Sequence, residues 1–178
     1  MAGVCLLFHV PLLAAQEEPI LHYRTKANYL VHLGSFVDWP DSAFPAVHSP
    51  FQLCTFESAD FVGAIRPLAQ ELLARGRSIE VRSAKTVAET RSCHILFIGR
   101  ENASRYRTIL DPIEDLPVLT VGETPDFLEA GGAVNFVYGE SLRLELNLNA
   151  TNRAHLKVRS TLATMARRVV GAGGLKQP

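Results

Sequence analysis

Cys54 in "FQLCTF", Cys93 in "SCHILFIG" and the His94 that follows it are the residues whose types and places most directly suggest chemistry. A thiolate beside an imidazole is the arrangement of a nucleophile or of half a zinc site. Both stretches, however, read as apolar strands, and a buried thiol lacks the exposure that catalysis needs. If the strand order is of the 2-1-3 kind, the first and third strands are neighbours and the two sulfurs can bridge. That bridge would close a loop of about 40 residues. Two buried thiols on adjacent strands are the alternative. Outside the apolar first 15 residues the remaining histidines, His22, His32, His48 and His155, show no i, i+4 pair and no cysteine-flanked metal pattern.

Nucleotide and nucleophile chemistries fare worse. No GxGxxG is present, and the loop after the first strand, "FESADFVG", carries acid where a phosphate loop needs glycine. A receiver site needs an Asp after the third strand, which instead ends in Gly99-Arg100. The Gly-Ser of "HLGSF" lies inside a helical pattern and not on a strand-to-helix elbow, so it reads as a small residue on a packed helix. Formal net charge is zero among 178 residues, which argues against nucleic acid as the main partner. With 47% hydrophobic and 20% charged residues the chain is a folded globular protein.

The elements that must carry these residues alternate. "KANYLVHLGSFVDWP" reads as an amphipathic helix, polar along Thr25, Asn28, His32 and Ser35, and ending near Asp38 because Pro40 follows the single Trp39. A strand at 51–56, a helix from 59 ending at Gly76, a strand "RSIEVRS", a buried strand at 93–99, a short helix before Pro112, a strand at 117–122 and a short helix over "TPDFLEAGG" follow. "AVNFVYG" and "LRLELNL" flank a turn near Gly139 and read as a hairpin. "NATNRAHLKVRSTLATMARRVV" reads as one long helix, with Arg167 and Arg168 on a solvated face. The expected architecture is an α/β fold: a single three-layer αβα domain over 20–171, its mostly parallel sheet ending in a β-hairpin and a long C-terminal helix. The apolar residues 1–15 fit a secretory signal cut near Ala15, and 172–178 a flexible tail.

Read in order, "KANYLVHLGSFVDWP", "LCTF", "SCHILFIG", "LPVLTVGE", "DFLEAGGAVNF" and "LRLELNLNATNRAHLKVRSTLATMARRV" resemble the YfiR family of small periplasmic regulators, over about residues 23 to 170. The resemblance implies an exported homodimer with a disulfide at Cys54 and Cys93. It implies a non-enzymatic role without cofactor or metal. The best-known member binds the periplasmic sensor region of a membrane-anchored diguanylate cyclase and holds it inactive. An outer-membrane lipoprotein relieves the repression, and cyclic di-GMP and biofilm behaviour follow. That member has a second cysteine pair, which this chain lacks, so redox control by that pair does not carry over. Trp39, Phe127, Gly131, Gly132 and Phe136 are the candidate contact residues, with a tight turn into a strand as the plain alternative for the glycines. No nucleic-acid partner and no membrane-embedded segment are expected. A small-ligand module with its ligand at the carboxyl ends of the strands is the first rival reading, and an enzyme with scattered catalytic residues is the second.

Overall fold

The computed structural model describes residues 14–139 and 141–171. The expected tail at 172–178, and the expected leader but for its last two residues, lie outside the described residues. α1 spans Ala14–Leu33 and buries Ala27, Leu30, Val31 and Leu33, while Asn28 and His32 of the expected polar stripe stay exposed. It stops earlier than the expected end near Asp38. Ser35 and Phe36 close its last turn by donating to His32 and Leu33 carbonyls at 3.0 Å each. Val37–Asp38 then form β1. Gly34 sits where a Cβ would come within 3.1 Å of Ala74 Cβ, so it is the small packed residue the sequence suggested, placed just past the helix.

A 3-10 turn at Asp41–Ala43 leads to β2 (Phe51–Phe56) and α2 (Ala59–Gln70). Pro67 lies inside α2, where it removes one internal bond at about 3 kcal/mol. Burial of Phe61, Val62 and Ile65, worth roughly 1.5–3 kcal/mol each, outweighs that cost. The helix does not run on to Gly76. β3 (Leu73–Ala74) pairs antiparallel with β4 (Arg77–Ala84) across Arg75 and Gly76, whose φ values of 57° and 78° are the pair a type I′ turn requires.

The chain continues through α3 (Val87–Thr90), β5 (Ile95–Phe97), a 3-10 stretch at Arg100–Arg105, α4 (Tyr106–Leu110) and β6 (Leu119–Gly122). Residues 124–131 form turns in place of the expected short helix. β7 (Val134–Val137) and β8 (Arg143–Asn147) make the expected hairpin, with Phe136 opposite Leu144.

Beyond the hairpin the structure corrects the sequence reading. The expected long C-terminal helix is four pieces: α5 (Leu148–Arg153), β9 (Lys157–Val158), α6 (Ser160–Met165) and β10 (Ala166–Val170). His155 takes a left-handed φ of 56° just after α5, which ends that helix. Lys157 and Val158 are then drawn into an antiparallel ladder with β1, and residues 166–170 into a parallel ladder with β8. Tertiary pairing overrides a helical spacing that is real but only approximate.

The main sheet has eight strands in the order β10-β8-β7-β6-β5-β2-β4-β3, parallel from β4 to β7. Side chains alternate between its faces. Phe51, Leu53, Ile95, Phe97, Leu119 and Val121 join one core with residues of α1 and α2. Cys54, Phe56, Leu96 and Ile98 join a second with Tyr106, Ile109 and Leu110 of α4. Two cores on opposite faces of one sheet are what a three-layer αβα domain is. β4-β2-β5 is the 2-1-3 order, and in it Cys54 and Cys93 are joined by a disulfide with their Cα atoms 5.9 Å apart.

Candidate functional site

β5, β6 and β7 run parallel, so Arg100, Glu123 and Tyr138 leave the sheet along one edge. β8 and β10 run the other way and begin there, which brings Glu145, Arg167 and Arg168 to the same place. Together they line a cavity of about 450 Å³. The carboxyl ends of parallel strands are where open α/β sheets hold ligands.

Two buried carboxylates organise the cavity. Glu123, 8% exposed, accepts from Lys26 Nζ of α1 at 2.9 Å and from the Arg100 backbone N–H at 3.2 Å. The Lys26 ammonium lies 4.7, 5.3, 5.5 and 5.9 Å from the ring centres of Tyr23, Phe61, Phe97 and Tyr138. Burial, with the Glu123 carboxylate beside it, pushes the Tyr138 hydroxyl far above its ordinary pKa, so it stays protonated. Glu145, 6% exposed, accepts from Arg168 Nη2 at 3.2 Å and from Asn135 Nδ2 at 3.4 Å, and Arg167 Nε lies 3.8 Å away. Arg167 and Arg168 are thus ion-paired on an edge strand and are not a solvated helix face.

Asn135 is 1% exposed, and its Oδ1 has no hydrogen-bond partner. Arg168 Nε is likewise buried and unpartnered. Both atoms are closed off as the side chains stand; the wall that the cavity does present is of mixed charge, which suits a small polar molecule that both donates and accepts. Among the described residues no group of His, Cys, Asp and Glu is placed to hold a metal ion.

Of the five residues marked from the sequence, Phe136 lines this cavity and the other four fall elsewhere. Trp39 is half-buried at the amino ends of β2, β5 and β6, its indole N–H donating to the Pro117 carbonyl at 2.9 Å and its ring edge-on to Phe51. Phe127 is wholly buried, edge-on to Tyr106, and its ring fills the space that a Cβ on Gly122 or Gly132 would occupy. Gly131 takes a φ of 105°. Phe136 is 1% exposed and edge-on to Tyr29. These contacts all lie within the chain, and they do not gather the five residues into one patch. Pro125, Asp126 and Glu129 are the exposed side chains of the turn before Gly131. The sequence reading missed Lys26, Glu123, Asn135 and Glu145. Glu123 did carry a signal, as an acid directly after the buried strand "PVLTVG".

A family described as YfiR/HmsC-like matches residues 23–167. No curated protein matches the chain. Among solved structures, an ABC domain in complex with L-Trp from Streptococcus pneumonia is 9% identical with a TM-score of 0.53, covering 81% of this chain and 60% of its own. A conserved domain protein from Vibrio cholerae O1 biovar El Tor is 8% identical with a TM-score of 0.51, covering 66% of this chain and 54% of its own. The chain therefore spans less than two thirds of either, and at these identities the likeness is one of fold.

Proposed function

The chain belongs to the YfiR/HmsC-like family, a family of periplasmic regulators, and on that premise we propose that it is a periplasmic binding protein that represses a membrane-anchored diguanylate cyclase through the cyclase's periplasmic sensor region. Repression lowers cytoplasmic cyclic di-GMP by favouring an inactive cyclase state. The observation that carries this reading is the extent of the family match, which runs from α1 to the start of β10 and so takes in nearly the whole domain. An outer-membrane lipoprotein as the relieving partner, a homodimer as the working form and export by residues 1–15 belong to the same proposal. A partner surface would draw on Trp39 and on the exposed side of the turn before Gly131, since Phe127 and Phe136 face inward.

The test is crosslinking in the protein's own cells, followed by affinity capture and mass spectrometry. A membrane protein with a periplasmic sensor and a cytoplasmic cyclase domain is the expected catch. Reproducible capture of a transporter or a histidine kinase in its place would sink the cyclase link.

A second reading is favoured by the cavity at Glu123 and Glu145. A small polar ligand there, held by the mixed-charge wall that Arg100, Glu123, Glu145 and Arg167 help to form, would make the chain a ligand sensor. Native mass spectrometry of protein drawn from the periplasm would show the retained mass, and its loss in Asn135→Leu would place it.

A further inference from the structure

The charges around the cavity at the carboxyl ends of β5, β6 and β7 do not cancel. Its two buried carboxylates each have a cation close by: Lys26 Nζ lies 2.9 Å from Glu123, and Arg168 Nη2 lies 3.2 Å from Glu145. Glu129, well exposed, shares Arg168 at 3.6 Å. Two guanidiniums are left loosely held. Arg100 meets Glu123 through Nε at 3.7 Å, and Arg167 meets Glu145 through Nε at 3.8 Å. Both separations are longer than a hydrogen bond. Among the described residues neither side chain donates a hydrogen bond within the protein, and they are 65% and 59% exposed. The Nη donors of both forks are therefore open to a ligand.

Four cations, Lys26, Arg100, Arg167 and Arg168, thus stand with three carboxylates among the described residues. That surplus selects the ligand's charge. A net monoanion cancels it, a zwitterion leaves it in place, and a dianion reverses it. The flat fork of an arginine matches a carboxylate through two parallel hydrogen bonds. The acceptors of the wall indicate what else the ligand carries. Both hydrogen bonds to Glu145 fall on Oε2, from Asn135 and Arg168. Glu145 Oε1 has Arg167 at 3.8 Å, beyond bonding distance, and the Glu129 side chain is 60% exposed. Hydroxyl groups would donate to these oxygens without adding a positive charge.

We propose that the cavity binds a hydroxylated monocarboxylate, of the chemical class of the sugar acids, with its carboxylate on the Arg100 and Arg167 forks and its hydroxyls towards Glu145 and Glu129. The inference rests on the ligand-sensor reading above and gives that sensor its class of ligand. The cavity, about 450 Å³, is of the size that small-molecule sites have. Because both guanidiniums are well exposed, salt screens the attraction, and affinity falls as ionic strength rises.

Isothermal titration calorimetry on the intact protein tests it, with D-gluconate and D-glucuronate as probes. Neutral glucose, zwitterionic serine and dianionic succinate are the comparisons. At least one sugar acid should bind saturably, more weakly as salt is added, and about tenfold or more tighter than each comparison. Arg100→Gln and Arg167→Gln, both at exposed positions, should each weaken that binding by about tenfold. Should either variant fail to fold by circular dichroism, the ranking of the probes and the salt dependence on the wild type decide. Native mass spectrometry of protein drawn from the periplasm separates failure of this inference from failure of the sensor reading. Tighter binding of serine, succinate or glucose, a retained mass of another class, or sugar-acid binding unchanged in both folded variants would overturn the inference and leave the sensor reading standing. No saturable binding of any probe up to about 10 mM, together with no retained mass, would overturn both.

Discussion

Lys26 of α1 and Glu123 at the end of β6 meet at 2.9 Å, with side-chain exposures of 10% and 4%. An ion pair so withdrawn from water is supported by what else surrounds it: aromatic faces on the ammonium and a backbone N–H on the carboxylate. It fastens the first helix to the sheet edge that bears the cavity. Lys26→Met should cost about 3–5 kcal/mol by leaving the carboxylate uncompensated. The double variant Lys26→Met, Glu123→Leu should recover at least half of the loss. Urea unfolding of the four proteins of this cycle measures both.

Removing the disulfide with Cys54→Ala and Cys93→Ala should lower stability by about 4 kcal/mol, from the chain entropy of a closed loop of that size. The fold should remain, because both positions stay apolar within the second core. Far-ultraviolet circular dichroism checks the fold, and denaturant midpoints check the loss.

Glycines separate by what surrounds them. Gly132→Ala would drive a methyl into the Phe127 ring and should cost about 1–3 kcal/mol, or more if the turn cannot yield. Gly63 lies on the exposed side of α2 with open space at its Cβ position. Gly63→Ala should therefore stabilise by about 0.5–1 kcal/mol. Opposite signs in paired thermal melts are the expected result.

Acid should weaken the whole domain through His94. Its folded pKa lies below the 6.5 of the unfolded chain, so below 6.5 the unfolded state binds more protons. Stability is full above 6.5 and falls as pH drops towards the folded value. Melting temperatures on either side of 6.5 should differ in the wild type and differ less in His94→Phe.

The strands were legible where burial writes itself into the sequence. "CHILFIG" is buried at every position from Cys93 to Gly99, and its apolar run shows it. The neighbourhood of Cys54 and Cys93 was legible as well, once the first and third strands were placed side by side. The segment 154–170 was not. Leu156 and Leu162 do face the core, but Val158 and Val169 serve ladders whose partners lie far off in the chain. Local spacing carries no word of those partners. The cavity was hidden for the same reason: Lys26 and Glu123 are 97 residues apart, and each alone looks like an ordinary surface charge.

The short ladder of β1 with β9 sets Val37 against Val158 and Asp38 against Lys157. Almost every other element is strung between those two points. Joining such distant parts of a chain is slow, since the loop must close before the contact rewards it. A ribosome that has released only the first 150 residues has therefore released the residues of β2 to β8, while β1 still lacks its partner in the clasp. Until the last residues arrive, the edge of β8 that will receive β10 is an open template, and it is in that interval that the chain is most exposed to pairing with the wrong strand.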